Sequence, residues 1–211
     1  MIVRPIPAGA AGVDLDSPVT PSIAAGFRQA GKSFVMRYAT VVTASEIAAC
    51  HAEGLGVGFI SFGRQSLFNA LTGQQDATAI LKHLASIGVP LGDGLTIGLD
   101  LETPKGAAIA DLLVYERSFA GYIVSPGCTS GAYIGAGLGM TSAELYSLAA
   151  TRYWKSGSKI EDLTGASAEP TCGYCLTQTL PFDQPCGGAL VDFDFAGADF
   201  RGRSWHCLYG S

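Results

Sequence analysis

Short apolar runs alternate with stretches of helical periodicity along this chain, which is the signature of βα units on a parallel sheet. Eight runs predict strands: Gly12 to Asp16, Ser33 to Tyr38, Val57 to Phe62, Leu95 to Glu102, Ser130 to Gly135, Thr151 to Trp154, Tyr174 to Gln178 and Leu190 to Asp194. Helical patterns lie between the earlier ones, over Pro21 to Ala30, Ala44 to Glu53, Ala77 to Ile87, Ala107 to Val124 and Ser142 to Ala150. Two of these open with a capping box, Thr43 with Glu46 and Thr141 with Glu144, where hydroxyl and carboxylate satisfy the first free amides. Gly31, Gly54 and Gly88 follow helical runs and read as helix stops. After Trp154 the helical pattern ends, and Lys155 to Cys172 is rich in Ser, Gly, Thr and Pro, a loop composition. Eight strands with helices missing from the second half predict an α/β fold, an irregular (β/α)8 TIM-like barrel with degraded C-terminal βα units. No repeat of fixed period and no linker divides residues 1–211, which read as a single domain.

Three strands break the apolar pattern with a carboxylate doublet: Asp14 and Asp16, Asp100 and Glu102, Asp192 and Asp194. Spacing of i, i+2 turns both acids of a pair to one face and the intervening Leu or Phe to the other. A carboxylate buried without a partner costs several kcal/mol, so the three pairs are expected to converge on a polar cavity. In a barrel of this kind the active site lies at the C-terminal strand ends. Loop or helix-start residues follow each doublet, Ser17-Pro18, Thr103-Pro104 and Ala196-Gly197. Arg37, Tyr133, Trp154 and Gln178 also close their strands, so the acids are expected to be rimmed by a guanidinium, aromatic faces and an amide.

Composition narrows the chemistry. A net charge of −5 with 13 scattered Lys and Arg lacks the basic stripe that phosphate binding requires, so no nucleic-acid partner is expected. No window approaches the apolar length of a membrane span, and MIVRPIPAGAAG lacks the long apolar stretch of a signal peptide, so neither a span nor export by a standard leader is expected. Of six cysteines, Cys172, Cys175, Cys186 and Cys207 crowd the C-terminus. They leave three readings open: one or two disulfides, reduced structural thiols, or a zinc site, for which a second tight pair is missing. His51 and His83 fall on helices beside charged residues and are expected to be exposed. No metal site and no cofactor is predicted.

An acid cluster with aromatic neighbours suits glycoside hydrolysis. One carboxyl must stay protonated to donate to the leaving oxygen, while a second negative group stabilises positive charge at the anomeric carbon. Crowding raises the proton affinity of one member. Glu102, with its longer reach and with Asp100 beside it, is the expected donor; Asp100, Asp14 and Asp192 are expected to remain ionised, and Asp16, Arg37, Tyr133, Trp154 and Gln178 to bind substrate.

GVDLDS on the first strand, LDLET on the fourth and VDFDFAG on the last resemble the pattern of family 25 glycoside hydrolases, the lysozyme-type muramidases with an irregular barrel. With FVMRYAT, TASEIAACHAEGLGVGFI, QQDATAILKHLASIGVP, GAYIGAG and a late Trp, most of the chain is similar to a related glycoside-hydrolase-like domain of unknown function. The resemblance implies Glu102 as acid, Asp100 as its partner, Asp14 and Asp192 as further site acids, and peptidoglycan as the glycan partner. Asp16 stands where family members carry Ser or another small polar residue.

Other readings compete with catalysis. Asp100 and Glu102 could close the barrel through ion pairs to Arg37 and Lys105, Asp16-Ser17-Pro18 could cap a helix, and Asp194 reads as structural. The acids could also hold Ca²⁺ or Mg²⁺, although no calcium-loop motif is present. The competing functional class is a non-catalytic glycan-binding or phage virion module on the same barrel, with virion assembly partners.

Overall fold

The computed structural model describes residues 1–102, 106–135, 138–157, 170 and 172–211. Thr103, Pro104, Lys105 and most of the 155–172 loop therefore lie outside the described residues. The chain runs β1 (Ile2–Pro5), β2 (Ala11–Asp14), α1 (Pro21–Gln29), β3 (Phe34–Tyr38), α2 (Ala44–Ala52), β4 (Gly56–Ile60), α3 (Ala70–Ser86), β5 (Thr96–Leu101) and α4 (Ile109–Val124). It continues through β6 (Thr129–Ile134), α5 (Ser142–Tyr146), β7 (Arg152–Lys155), β8 (Leu176–Cys186), β9 (Ala189–Ala196) and β10 (His206–Tyr209). Strands β2 to β9 close into an eight-strand barrel, β4 pairing with both β3 and β5. It is the α/β barrel that the alternation of patterns predicts.

Both predicted capping boxes form, and Asn69 with Thr72 adds a third that starts α3 earlier than the periodicity indicated. Gly31, Gly54 and Gly88 end their helices at positive φ. The predicted degradation of the last units takes a definite form. Neighbours from β2 through β3 and on to β8 run parallel, but β9 is antiparallel to both β8 and β2. A two-residue turn with both Gly187 and Gly188 at positive φ joins β8 to β9, as a tight hairpin of primed type requires. No crossover helix is needed between antiparallel neighbours.

Apolar packing forms two shells. The larger lies between barrel and helices; the smaller fills the barrel itself with Phe34, Met36, Tyr133, Trp154, Leu176 and Trp205 among others. Two Trp indoles fit because β5 and β6 present glycine inward: a methyl on Gly131 would come within 2.5 Å of the Trp205 ring, and one on Gly98 within 3.0 Å. Trp205 arrives from the C-terminal segment just before β10. That strand pairs antiparallel with β1 and meets β4 at Leu208 and Val57, so a two-strand ribbon closes the end of the barrel where the parallel strands begin. The Trp205–Trp154–Tyr133 series of edge-to-face rings, with centroids 6.1 and 4.7 Å apart, runs from that plug toward the other end.

All six cysteines are free and buried. Of the readings left open, reduced structural thiols is the one the fold adopts. The histidines are not the exposed groups expected from their neighbours: His51 Nε2 lies 3.1 Å from the Leu208 carbonyl and His83 Nε2 2.8 Å from that of Val42. No helix among the described residues is long and apolar enough to cross a membrane.

Removing the plug should cost the barrel its closed end. Trp205→Ala is expected to destabilise by about 3–5 kcal/mol, the usual range for emptying a large aromatic site. At about 2–4 °C per kcal/mol for a chain of this size, thermal unfolding should show a melting temperature lower by roughly 6–20 °C.

Candidate active site

The mouth opposite the plug holds a cavity of about 500 Å3. Asp14, Asp16, Asp100, Glu102 and Asp192 all line it, with Tyr38, Tyr133, Trp154, Gln178 and Asp183. Strand parity explains the convergence. On β5, Gly98 and Asp100 share the inward phase, and on β2 Gly12 and Asp14 share it; Glu102 and Asp16, just past the ends of those strands, line the same cavity. Strand β9 supplies its acids differently from the sequence-based expectation. Because it runs antiparallel, the earlier acid, Asp192 in the first half of the strand, is the one that reaches the mouth, in register with Asp14, while Asp194 is in register with Gly12. Asp192 therefore lines the cavity, whereas Asp194 lies one inward layer deeper and is fully buried.

The buried Gln178 amide joins the cluster. Its Nε2 donates to Asp14 Oδ2 at 2.9 Å and to Asp192 Oδ2 at 3.1 Å. Its Oε1 accepts from the Tyr133 hydroxyl at 3.0 Å and from the Gly157 amide at 2.7 Å. Asp192 Oδ1 also accepts from the Asp183 amide at 2.8 Å. Asp183 sits at φ 53° in the irregular stretch of β8 between Thr179 and Gln184. Across the mouth, Asp100 Oδ1 accepts from the Glu102 amide at 2.8 Å, and the Asp100 amide donates to Ser61 Oγ at 3.0 Å. Gly135 leaves the space that the Glu102 stem occupies, since a methyl there would lie 2.6 Å from Glu102 Cγ.

Several residues do something other than predicted. Arg37 does not reach the acids. It is one residue out of phase with Met36 and Tyr38, so it points outward into the layer beneath α2. There it is 2% exposed and pairs with Glu46 at 2.8 Å, while also donating to the Leu15 carbonyl. Arg37 is thus neither a substrate ligand nor the partner that would make Asp100 and Glu102 a structural closure. Tyr133 and Trp154 belong to the floor of the cavity rather than its rim, and Trp154 Nε1 donates to Asp194 Oδ1 at 2.9 Å. Tyr38 and Asp183 line the cavity without having been predicted. Tyr38 closes its strand one inward step beyond Met36, a parity signal that was available. Asp183 depends on a strand irregularity whose only trace is Pro181.

Burial, more than charge, governs the proton affinities. Removal from water pushes Asp14 and Asp100 from the ordinary 3.8 up to about 7, against the expectation that both stay ionised. Asp192 is raised by the same cause, with the neighbouring acids adding to it. The Tyr38 and Tyr133 hydroxyls are raised as well, first by burial and then by the surrounding carboxylates. Among the described residues no group of three or more His, Cys, Asp and Glu side chains is arranged to hold a metal ion.

No family model matches the chain, and no curated protein does. Solved structures do. A Tat-secreted protein of Mycobacterium tuberculosis, determined with L-tartrate, is 19% identical over 90% of this chain and 96% of its own, with a TM-score of 0.66. The catalytic domain of an endolysin from a Listeria monocytogenes bacteriophage is 14% identical over 89% of this chain and 93% of its own, with a TM-score of 0.61. The spore cortex lytic enzyme SleM of Clostridium perfringens is 14% identical over 92% of this chain and 68% of its own, with a TM-score of 0.64. At these identities the likeness establishes a common fold.

The raised carboxyls make stability depend on pH in a stated direction. For a group at about 7 folded and 3.8 unfolded, the folded chain binds the proton more tightly, so its stabilisation is full below about 4 and is lost as pH rises toward 7. Each pH unit of that window changes stability by about 1.4 kcal/mol per group. Thermal unfolding should therefore give a higher melting temperature at pH 5.5 than at pH 8, and Asp14→Asn should reduce the difference by raising the pH 8 value. A protein most stable at pH 8 would contradict the assignment.

Proposed function

We propose that this protein is a glycoside hydrolase that cleaves a cell-wall amino-sugar polymer, peptidoglycan, through its carboxylate cluster. The observation that carries the reading is the set of acids on one barrel mouth around a single cavity, two of them with proton affinities moved to the neutral range. A glycosidase needs one carboxyl to give a proton and another to hold negative charge. Glu102 and Asp100 form the donor side. They stand two residues apart in sequence, and burial, with the charge of Glu102 adding to it, raises Asp100 to about 7; Glu102, with its longer reach, is the group that hands a proton to the leaving oxygen. Asp14 and Asp192, joined by Gln178, form the opposite side and stabilise charge at the anomeric carbon or orient water.

The cavity also offers an apolar wall for a sugar ring. Tyr38 stacks on Phe62 with centroids 4.0 Å apart and planes 7° from parallel. Phe62 is 51% exposed and lines an adjoining cavity with Ser61, Gly63 and Arg64, so the stacked pair joins that cavity to the one that holds the acids. Carbon–hydrogen faces of pyranoses pack on such rings. Two proteins of the same fold, the endolysin domain and the spore cortex enzyme, are lytic, and the similarity of GVDLDS, LDLET and VDFDFAG to family 25 muramidases supports the same chemistry.

Incubation with purified peptidoglycan and assay of released reducing sugar tests this reading. Wild-type protein should release it. Glu102→Gln should lower the rate by at least about 100-fold, the scale of a lost general acid, with an unchanged melting temperature. Phe62→Ala should weaken substrate use mainly through KM. Wild-type protein that releases no sugar but is retained by the glycan would replace the hydrolase with a binding module.

A further inference from the structure

Asp194 is the member of the third doublet that the proposed chemistry does not use. Its side chain is fully buried between the cavity floor and the aromatic plug. Oδ1 accepts from Trp154 Nε1 at 2.9 Å, whereas among the described residues no N–H or hydroxyl group reaches the buried Oδ2. The groups around it come from every neighbouring strand. Asp14 lies on β2, diagonal to it across the antiparallel pair; Asp192 is on its own strand; Gln178 is its register partner on β8; Trp154 is on β7. Lys32, before β3, feels the charge of Asp194, but its ammonium packs over the Phe193 ring, 3.6 Å from the ring centroid. Gln178 has committed both N–H groups to Asp14 and Asp192, so it has none for Asp194.

An orphaned carboxylate oxygen in such a place is costly, since a buried acceptor without a donor loses its hydration uncompensated. One arrangement removes the cost. We infer that Asp194 is held permanently as the neutral acid and donates its Oδ2 proton to Asp14, making the two a shared-proton pair in which Asp194 is a positioning residue. Asp14 then receives two donors, the Asp194 hydroxyl and the Gln178 amide, which hold its carboxylate pointing into the cavity. Burial drives Asp194 the same way, with the charge of Asp14 adding to it, and the same hydrogen bond works to lower the proton affinity of Asp14. The single proton stays within the pair, and no transfer to substrate is required.

Infrared difference spectroscopy reads this directly. At pH 8, where Asp14 is largely ionised, wild-type protein should keep one protonated carboxylic acid carbonyl band that Asp194→Asn lacks. The Asn variant should fold, because its carbonyl still accepts from Trp154 and its amide still donates to Asp14. Carboxyl carbon NMR should then find the Asp14 midpoint little changed by Asp194→Asn, since one neutral donor replaces another, and raised in Asp194→Ala, which has no donor. Absence of the band in wild-type protein would overturn the inference. So would an Asp14 midpoint falling by about one pH unit or more in Asp194→Asn, the response to deleting a neighbouring negative charge. Both readouts are independent of glycan cleavage, so an inactive protein would overturn the hydrolase reading and leave this one standing.

Discussion

The barrel mouth depends on one amide. Gln178 has four hydrogen-bonding positions and all four are used: two donors on carboxylates of β2 and β9, two acceptor positions on a β6 hydroxyl and a backbone amide after β7. Its orientation is fixed by its partners, because carboxylates can only accept from it and the Tyr133 hydroxyl and Gly157 amide are on hand to donate. Two acids that would repel each other directly across a strand pair are thereby joined through a common donor. The antiparallel course of β9 makes this possible, since it brings Asp192 level with Asp14 rather than one layer away.

Why the acids gather at one end follows from how the other end is filled. Barrels of this class are packed with side chains through their middle; here glycine occupies inward positions on several strands and bulky rings fill the space. The Trp205 plug and its ribbon close one end, and the ring series below the cavity keeps water from reaching the acids from beneath. Each inward acid therefore faces water only through the mouth. That one-sided exposure is what moves Asp14 and Asp100 into the neutral range, with mutual repulsion as a secondary cause.

Much of this was legible in the chain. All eight predicted strands fall on barrel strands, and the i, i+2 acids predicted a common cavity because period-2 alternation is a geometric necessity. The same rule, applied without slack, would have excluded Arg37, whose neighbours Met36 and Tyr38 claim the inward phase. What could not be read is tertiary. Strands β1 and β10 are four residues each and carry no alternation of their own. The direction of β9 is set by a two-glycine turn whose significance depends on what flanks it. Asp183 enters the site through an irregularity that no periodicity encodes. The electrostatic expectation failed for a related reason: sequence shows which charges are neighbours, but desolvation depends on what covers them.

Arg37 and Glu46 show the complementary case. There a buried cation and a buried anion meet with further backbone donors and acceptors around them, and that network ties the first turn of α2 to β3. A buried pair so satisfied tolerates full charge, whereas losing either partner would leave the other stranded. Around Asp14 and Asp192 the described partners are neutral: both carboxylates accept from the Gln178 amide. Asp192 accepts from the Asp183 backbone amide as well and Asp100 from that of Glu102, and burial raises the proton affinity of Asp14, Asp100 and Asp192 instead. Protons can be given up and regained near neutral pH, and an ion pair of this kind cannot do so. The fold thus keeps the Arg37 guanidinium outside the barrel and leaves Asp14 and Asp100 inside it with proton affinities near neutrality, which is the condition that the proposed acid–base chemistry requires.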